Sequence, residues 1–490
     1  MKICDILKDI PHRGNSEAEI TAIEYDSRKA GENTLFVCLR GAKADGHKFA
    51  PMAYDKGCRA FLCEEELDLP GDAEQFVCEN TRAALAVASA EFYGHPAEKL
   101  TLIGVTGSKG KTTTSLLIHS ILNGNGKNCA YIGSNGVIIN GKVTETANTT
   151  PESHVLHHLF RLMVNEGVKY AVLEVSSQAL ARNRVDGIKF DTVVFTNICE
   201  EDHIGPGEHP DYEDYKNSKA KLFTDTYGAR YAVYNADEEE KDFILKGFGG
   251  ERISFAMNSD ADYRGVNKDI YRSETALGVS FDCVYEGDST HVRLMSPGAF
   301  SIYNGLAAIA VCAIYGVDVE NSAATLLHTP VQGRFEIVEA TPGRTFIIDY
   351  SHNGMSLTKA LKALREYEPK RIICVFGSVG GRTQCRRSEL AIASSGGADY
   401  SIITSDNPDF ESPEAIIEEI ASHMSEGSAF ECITDRAEAV KRAVEMAEDG
   451  DIVLFAGKGH ENYQLVCGKK IPFSEREQIL WACKEPELII

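Results

Sequence analysis

Gly107-Ser108-Lys109-Gly110-Lys111-Thr112-Thr113 carries the residue types that hold a nucleotide's phosphates. Backbone N–H groups of a glycine-rich turn point at an anion, the dipole of a following helix favours negative charge, and a lysine adds a point charge. Lys111 supplies that charge, and Thr112 beside it is the hydroxyl type that ligates the nucleotide's Mg²⁺. The spacing departs from the standard phosphate loop, because Val105 stands where a glycine is usual and glycines fall at 104 and 107. The bland reading is a glycine-rich turn that binds nothing. Further along, Glu174 interrupts the apolar run Tyr170-Ala-Val-Leu-Glu-Val175 near its end. A carboxylate there is costly to bury unless it is paired or binds a cation. Asn197 and His203 follow the run Thr192-Val-Val-Phe195 and complete a candidate metal–nucleotide constellation.

The elements that must position these residues can be read from periodicity. Leu100-Thr-Leu-Ile reads as a buried strand entering the loop, and Ser115–Leu122 repeats its apolar residues at helical spacing. Ala130–Gly133, Tyr170–Val175 and Thr192–Asn197 read as further strands, with a turn at Ala147–Pro151 before a helix. Ligands of open α/β sheets gather beyond the carboxyl ends of strands, where Glu174, Asn197 and His203 fall. Upstream, Ile20–Tyr25 and Thr34–Leu39 are strand candidates, with Asp26-Ser27-Arg28 a turn between them. Tyr93-Gly-His-Pro96 breaks an Ala-rich helix and marks a boundary. Downstream, strands at Thr345–Tyr350, Arg371–Phe376, Tyr400–Thr404 and Asp451–Phe455 alternate with helical patterns at Met355–Tyr367 and Pro413–His423. That alternation implies a second, mostly parallel sheet. Its strand ends carry Asp349, Gly377–Arg382, Asp406-Asn407-Pro408 and Gly457-Lys-Gly-His-Glu461. Each alone could be turn chemistry; together they read as one face of an active site.

A chain of 490 residues exceeds one core, and the size prior gives about three domains. The expected division is residues 1–98, 99–327 and 328–490, all α/β. No apolar run is long enough to cross a bilayer, and the chain starts without a signal peptide's apolar core, so a cytoplasmic protein is expected. The fourteen cysteines are scattered without a CxxC pair, which argues against zinc and for reduced thiols. The net charge of −23 disfavours nucleic acid as a partner.

In order and spacing, Asp26-Ser-Arg28, Gly104–Thr114, Asn148-Thr-Thr-Pro151, Glu174-Val-Ser-Ser177, Asp349-Tyr-Ser-His352, Asp406-Asn-Pro408 and Ala456-Gly-Lys-Gly-His-Glu461 resemble the motif series of the Mur ligases. These are ATP-dependent amide-forming enzymes of peptidoglycan assembly. The resemblance covers nearly the whole chain and is greatest to the branch that makes the UDP-N-acetylmuramoyl tripeptide. It implies three α/β domains: a small UDP-binding one, a central ATPase-like one and a C-terminal Rossmann-like one. It also implies an acyl-phosphate mechanism, in which ATP phosphorylates the peptide's free carboxylate and the amine of a diamino acid displaces phosphate. Such chemistry needs charge neutralisation more than a protein nucleophile.

By the same resemblance, Gly107, Ser108, Lys109, Gly110, Lys111, Thr112 and Thr113 bind ATP, joined by Asn304, Arg334 and Asp349. Thr112, Glu174, His203 and Lys219 would hold Mg²⁺, Lys219 as a carbamate formed with CO₂, and Lys111, Lys219 and His203 would be catalytic. Tyr25 and Ser27, with Ala42–Ala44, would meet the UDP group, and Thr149, Thr150, Ser176, Arg182 and Arg184 the muramoyl dipeptide. Arg382, Asp406, Asn407, Asp409, Gly457 and Glu461 would meet the incoming amino acid. The chain departs from the family at Arg182, where glutamine is common, at Ser301, and in the 198–209 loop. Enzymes adding meso-diaminopimelate carry arginine after Asp-Asn-Pro, clamping the distal carboxylate; here Asp409 would repel it and could pair an ammonium. L-Lysine or ornithine is therefore expected ahead of diaminopimelate. The chain is expected to act as a monomer without nucleic-acid or membrane partners. Competing readings are a folylpolyglutamate-synthase-like ligase, a ligase for another acceptor, and a nucleotide-binding scaffold.

Overall fold

Short runs of Val, Leu, Ile and Phe near the N-terminus pair as parallel strands in the order Ala22–Glu24, Thr34–Val37, Ala60–Cys63 and Glu74–Val77. The structure, a computed structural model, describes residues 1–41, 44–200, 204–205, 208–272, 277–381 and 385–484. Thr34–Val37 and Ala60–Cys63 are buried throughout, as strands covered on both faces must be. Leu35, Leu62, Phe76 and Leu85 pack into one core here, each removing apolar surface that stabilises by about 1.5–3 kcal/mol when fully buried. The helix Thr81–Tyr93 starts where the Asn80 side chain accepts the Arg82 and Ala83 N–H groups. It stops at Gly94, in the left-handed region at φ 67°. Gly and Pro thus end the helix where the sequence marks a boundary.

The chain divides into two compact units, Met1–Asp262 with Ala307–Val317, and Tyr263–Leu306 with Asp318–Ile490. In the first, a larger sheet runs in the order Glu251–Ala256, Tyr231–Asn235, Thr192–Phe195, Thr101–Thr106, Tyr170–Glu174 and Cys129–Gly133, all parallel. Gly136–Ile139 and Lys142–Thr144 extend it antiparallel. The strand Thr101–Thr106 lies next to both Thr192–Phe195 and Tyr170–Glu174, so the loop after it sits beside both of their carboxyl ends. Helix Lys111–Gly124 follows, with Gly110 as its N-cap at φ 82°.

In the second unit, Tyr263–Arg272, Leu277–Tyr285 and Asp288–Leu294 form antiparallel pairs. A second sheet runs Glu336–Val338, Thr345–Asp349, Ile452–Ala456, Ile372–Phe376, Tyr400–Thr404 and Phe430–Ile433, parallel after its first, antiparallel pair. Helices Gly354–Arg365 and Pro413–Ser422 lie where helical periodicity predicts them, within two residues at each end. A separate hairpin, Tyr463–Val466 with Lys469–Pro472, has no counterpart in the sequence reading. Among the described residues no helix is long and apolar enough to cross a membrane.

Candidate active site

The first unit's glycine-rich loop is pinned from the neighbouring strand end. Asn197 accepts the Lys109 N–H (2.9 Å) and donates to the Lys109 carbonyl (3.0 Å), while Thr196 Oγ1 donates to the same carbonyl at 2.7 Å. Asn197 therefore shapes the loop, a more structural task than the metal-side position its sequence context suggests. Gly107 sits at φ 151°, and a Cβ there would lie 1.9 Å from Thr196 Oγ1, so only glycine fits. Lys111 Nζ donates to the carbonyls of Gly107 and Ser108 at 2.8 and 2.9 Å. Ser108 Oγ shares a 2.7 Å hydrogen bond with the Tyr215 hydroxyl.

Glu174 is fully buried, and donors surround its carboxylate. Thr112 Oγ1 donates to Oε2 at 2.9 Å, the Ser134 N–H to Oε1 at 2.9 Å, and the Tyr131 hydroxyl also to Oε1. These hydrogen bonds offset the cost of taking a carboxylate out of water. A hydroxyl and a carboxylate oxygen at the head of a phosphate loop are the hard oxygen donors Mg²⁺ selects, so Thr112 and Glu174 fit that ion. Lys219, on helix Tyr212–Ala220, is 1% exposed; its Nζ donates to the Gly107 carbonyl at 2.9 Å and lies 4.5 Å from the Tyr215 ring centre. The fold thus brings Lys111, Thr112, Glu174 and Lys219 to one loop. Ser108, Lys109 and Gly110 lie in that loop, and Thr113 follows in the first turn of the helix. His203 lies outside the described residues.

The residues expected to meet the dipeptide adjoin this loop through Glu174. Thr150 Oγ1 donates to the Glu174 carbonyl at 2.8 Å and accepts the Ser176 N–H at 3.1 Å, and Thr149 Oγ1 lies 3.1 Å from Ser134 Oγ. Arg184 donates to Glu152 Oε1 (3.0 Å) and to the Thr150 carbonyl (3.1 Å), and Arg82 donates to the other Glu152 oxygen at 2.9 Å. Burial lowers the pKa of Arg182, the nearby Arg184 and Arg82 charges lower it further, and the Glu152 charge opposes them. Tyr25 meets His154 edge-on, ring centres 4.9 Å apart, and burial with the Glu152 charge raises its pKa. Ser27 is buried with its hydroxyl on Met52 Sδ at 3.3 Å. Ala42 lies outside the described residues.

The second unit holds the remaining candidates. Asp349 accepts the Phe335 and Ser351 N–H groups, each at 3.0 Å, and burial raises its pKa. The Arg334 guanidinium lies over Tyr350, 4.5 Å from the ring centre, and Asn304 is buried in helix Ala299–Ile314. Beyond the next strand ends, Lys458 is fully buried, donating to Asn407 Oδ1 (2.8 Å) and Glu461 Oε2 (3.0 Å). Asn407 Nδ2 donates to the same glutamate oxygen at 2.8 Å. Buried Asp406 faces Gly457, where a Cβ would stand 2.9 Å from its Oδ2. Asp409 turns elsewhere: its Oδ1 accepts the Gly468 N–H at 2.7 Å. Arg382 lies outside the described residues.

Sequence reading overlooked Tyr131, Ser134, Glu152 and Arg436. Glu152 follows the Asn148–Pro151 motif and could have been found there, whereas Tyr131 sits in an ordinary apolar strand away from any motif. Ser134 and Arg436 act only through pairing in space.

Three family models match the chain: "Mur ligase family, catalytic domain" over 19–95, "Mur ligase middle domain" over 105–312 and "Mur ligase, glutamate ligase domain" over 333–459. The UDP-N-acetylmuramoyl-L-alanyl-D-glutamate–2,6-diaminopimelate ligase of Caldanaerobacter subterraneus is 37% identical, over 99% of this chain and 100% of its own length. The ligase of the same name from Clostridium botulinum is 36% identical over 96% of each chain. A solved structure under that name has a TM-score of 0.68 at 28% identity, covering 99% of this chain and 98% of its own. A Thermotoga maritima MurF ligase solved with ADP shares the fold, with a TM-score of 0.63 at 19% identity over 94% of this chain and 96% of its own.

Proposed function

From the premise that this chain belongs to the Mur ligase family, we propose that it adds a diamino acid to UDP-N-acetylmuramoyl-L-alanyl-D-glutamate in peptidoglycan precursor synthesis. It is an ATP-dependent amide-forming ligase, as its family is. The observation that carries the reading is the convergence of Lys111, Thr112, Glu174 and Lys219 on one phosphate loop, next to the Thr150, Ser176 and Arg184 cluster. ATP phosphorylates the free carboxylate, the amine attacks the acyl carbon, and phosphate leaves. Lys111 and the loop's N–H groups would take the β- and γ-phosphates, and Thr112 and Glu174 would hold Mg²⁺, which neutralises developing phosphoryl charge. Lys219, buried beside Gly107, would serve as the carbamate ligand suggested by the family. Arg184 and Arg182 would receive the dipeptide's carboxylate side, Tyr25 and Ser27 the UDP group. Arg334, Asp349 and Asn304 would hold the nucleoside, and Asp406, Asn407, Gly457 and Glu461 the amino acid. We assign UDP-sugar binding to residues 1–98, ATP binding to 99–327 and amino-acid binding to 328–490, in a cytoplasmic monomer.

For the diamino acid, the relatives' names favour 2,6-diaminopimelate. A second reading, L-lysine, is favoured by Asp409, which supplies no cation for a distal carboxylate. Phosphate release by the purified chain, with ATP, Mg²⁺, bicarbonate and the UDP-dipeptide, tests both. Release that depends on a diamino acid, with the tripeptide product seen by mass, supports the ligase. Comparing lysine, ornithine and meso-diaminopimelate decides the amino acid. Turnover with none of them would sink the proposal and move the chain to another acceptor or a scaffold role.

A further inference from the structure

The hairpin Tyr463–Val466/Lys469–Pro472 lies against the loop expected to bind the amino acid, and the joint between them is built on Asp409. Val466 pairs with Lys469, so the turn has only two residues, Cys467 and Gly468, at φ 48° and 74°. Both central residues at positive φ define a type I′ turn, which favours Asn-Gly and penalises cysteine at its first position. Such a turn also leaves the N–H groups of its two central residues outside the ladder. Asp409 takes both. Its carbonyl accepts the Cys467 N–H at 2.7 Å and its Oδ1 accepts the Gly468 N–H at 2.7 Å. Its own N–H donates to the Leu465 carbonyl at 2.9 Å. Asp409 sits at φ 52°, a left-handed conformation that Asp and Asn tolerate better than most residues.

The hairpin's position matters to the neighbouring side chains. The Leu465 N–H donates to Asn407 Oδ1 at 2.9 Å, the oxygen that also takes Lys458, and Gln464 Nε2 donates to the Asp406 carbonyl at 3.0 Å. Asn407 is thereby oriented with its Nδ2 on Glu461. We propose that Asp409 is a positioning residue: it latches the Cys467–Gly468 turn to the Asp406–Asp409 loop and so fixes Asn407 and Glu461, rather than meeting the diamino acid by charge. What it supplies is an acceptor oxygen on a left-handed backbone, which asparagine supplies equally well. For its kinetic consequence the inference rests on the ligase reading; the geometry of the latch does not.

The test compares full-length D409N and D409G. Glycine adopts the backbone conformation freely and removes only the acceptor. The expected result is that D409G raises KM for the diamino acid by about three- to tenfold, the scale of one hydrogen bond, with KM for ATP and the UDP-dipeptide little moved. D409N restores most of that loss with whichever diamino acid the wild type uses. Independently, hydrogen–deuterium exchange over residues 463–472 should quicken in D409G and return towards wild type in D409N. If D409N loses lysine affinity as D409G does while exchange stays protected, the charge meets the substrate and the latch is overturned. Unchanged exchange and KM in D409G also overturn it. A wild type inactive with every diamino acid defeats the ligase reading alone, and the exchange result still decides the latch.

Discussion

Glu174 is a satisfied buried acid that we also propose as a metal ligand. Thr112, Tyr131 and Ser134 all donate to it. An amide in its place would set an NH₂ against donors and remove the charge that Mg²⁺ needs. E174Q is expected to lower kcat by at least about 100-fold, the scale of losing a group that stabilises transition-state charge. It should also raise the Mg²⁺ midpoint, measured by phosphate release across a magnesium titration; an unmoved midpoint would remove Glu174 from the metal site. Lys219 makes a second case. Its Nζ is buried on the Gly107 carbonyl, where a carbamate formed on it would stand at the head of the phosphate loop. Wild-type turnover is expected to rise with bicarbonate, and K219R, which keeps a cation but cannot form the carbamate, to be inactive at every bicarbonate concentration. Turnover near wild type in K219R would show that the lysine acts as a cation.

The elements that place the loops we propose for the amino acid are joined from beneath by Arg436, whose side chain is wholly buried at the start of helix Arg436–Met446. It pairs with buried Glu475 at 3.0 Å and donates to the carbonyls of Ser405 and Ala456, at the ends of the two strands that flank Ile372–Phe376. R436M strands the Glu475 charge and is expected to cost about 3–5 kcal/mol, as breaking a buried ion pair does. R436M/E475L should recover much of that stability, while the amino-acid KM stays raised because the strand-end carbonyls remain uncapped. Urea unfolding and steady-state kinetics on both variants check this, and a double mutant no more stable than R436M would refute it. Arg436 also marks how far sequence reading reaches. The phosphate loop was legible because strand, glycines and helix are contiguous, and Glu174 because a charge in an apolar run is locally anomalous. The partners of Glu174 come from the separate strand-and-turn stretch at Tyr131–Ser134, and Arg436 sits in an ordinary amphipathic helix; pairing in three dimensions alone reveals them. The hairpin escaped notice because Cys467-Gly468 is a poor turn signal and because one of its strands is half-buried and the other exposed, so neither shows a buried face.

Across the whole chain the burial of neutral histidines sets how stability responds to acid. His119, His154 and His157 are all in the first unit, and burial pushes each pKa down to about 4. In the unfolded chain they bind a proton near the ordinary pKa of about 6.5. Between these values the unfolded state holds more protons, so stability rises with pH there. The contribution is fully present above about pH 6.5, is lost as pH falls to about 4, and changes no further below. Asp26, lowered to about 2 chiefly by its hydrogen bond from Arg28, loses its own contribution only below its usual range, so the two windows are separate. His157 is the sharpest probe: it is 1% exposed, meets Phe160 edge-on, and neither ring nitrogen has a hydrogen-bond partner among the described residues. H157L removes a titrating group without orphaning any donor or acceptor. It is expected to leave the thermal midpoint at pH 7.5 unchanged or higher and to flatten its fall between pH 6.5 and 4. The upper bound is about 1.4 kcal/mol for each unit of pKa displacement. Thermal unfolding of wild type and H157L across that range measures the difference. Parallel curves would mean that His157 is protonated in the folded chain, by way of water or a local opening, and that His119 and His154 carry the acid response.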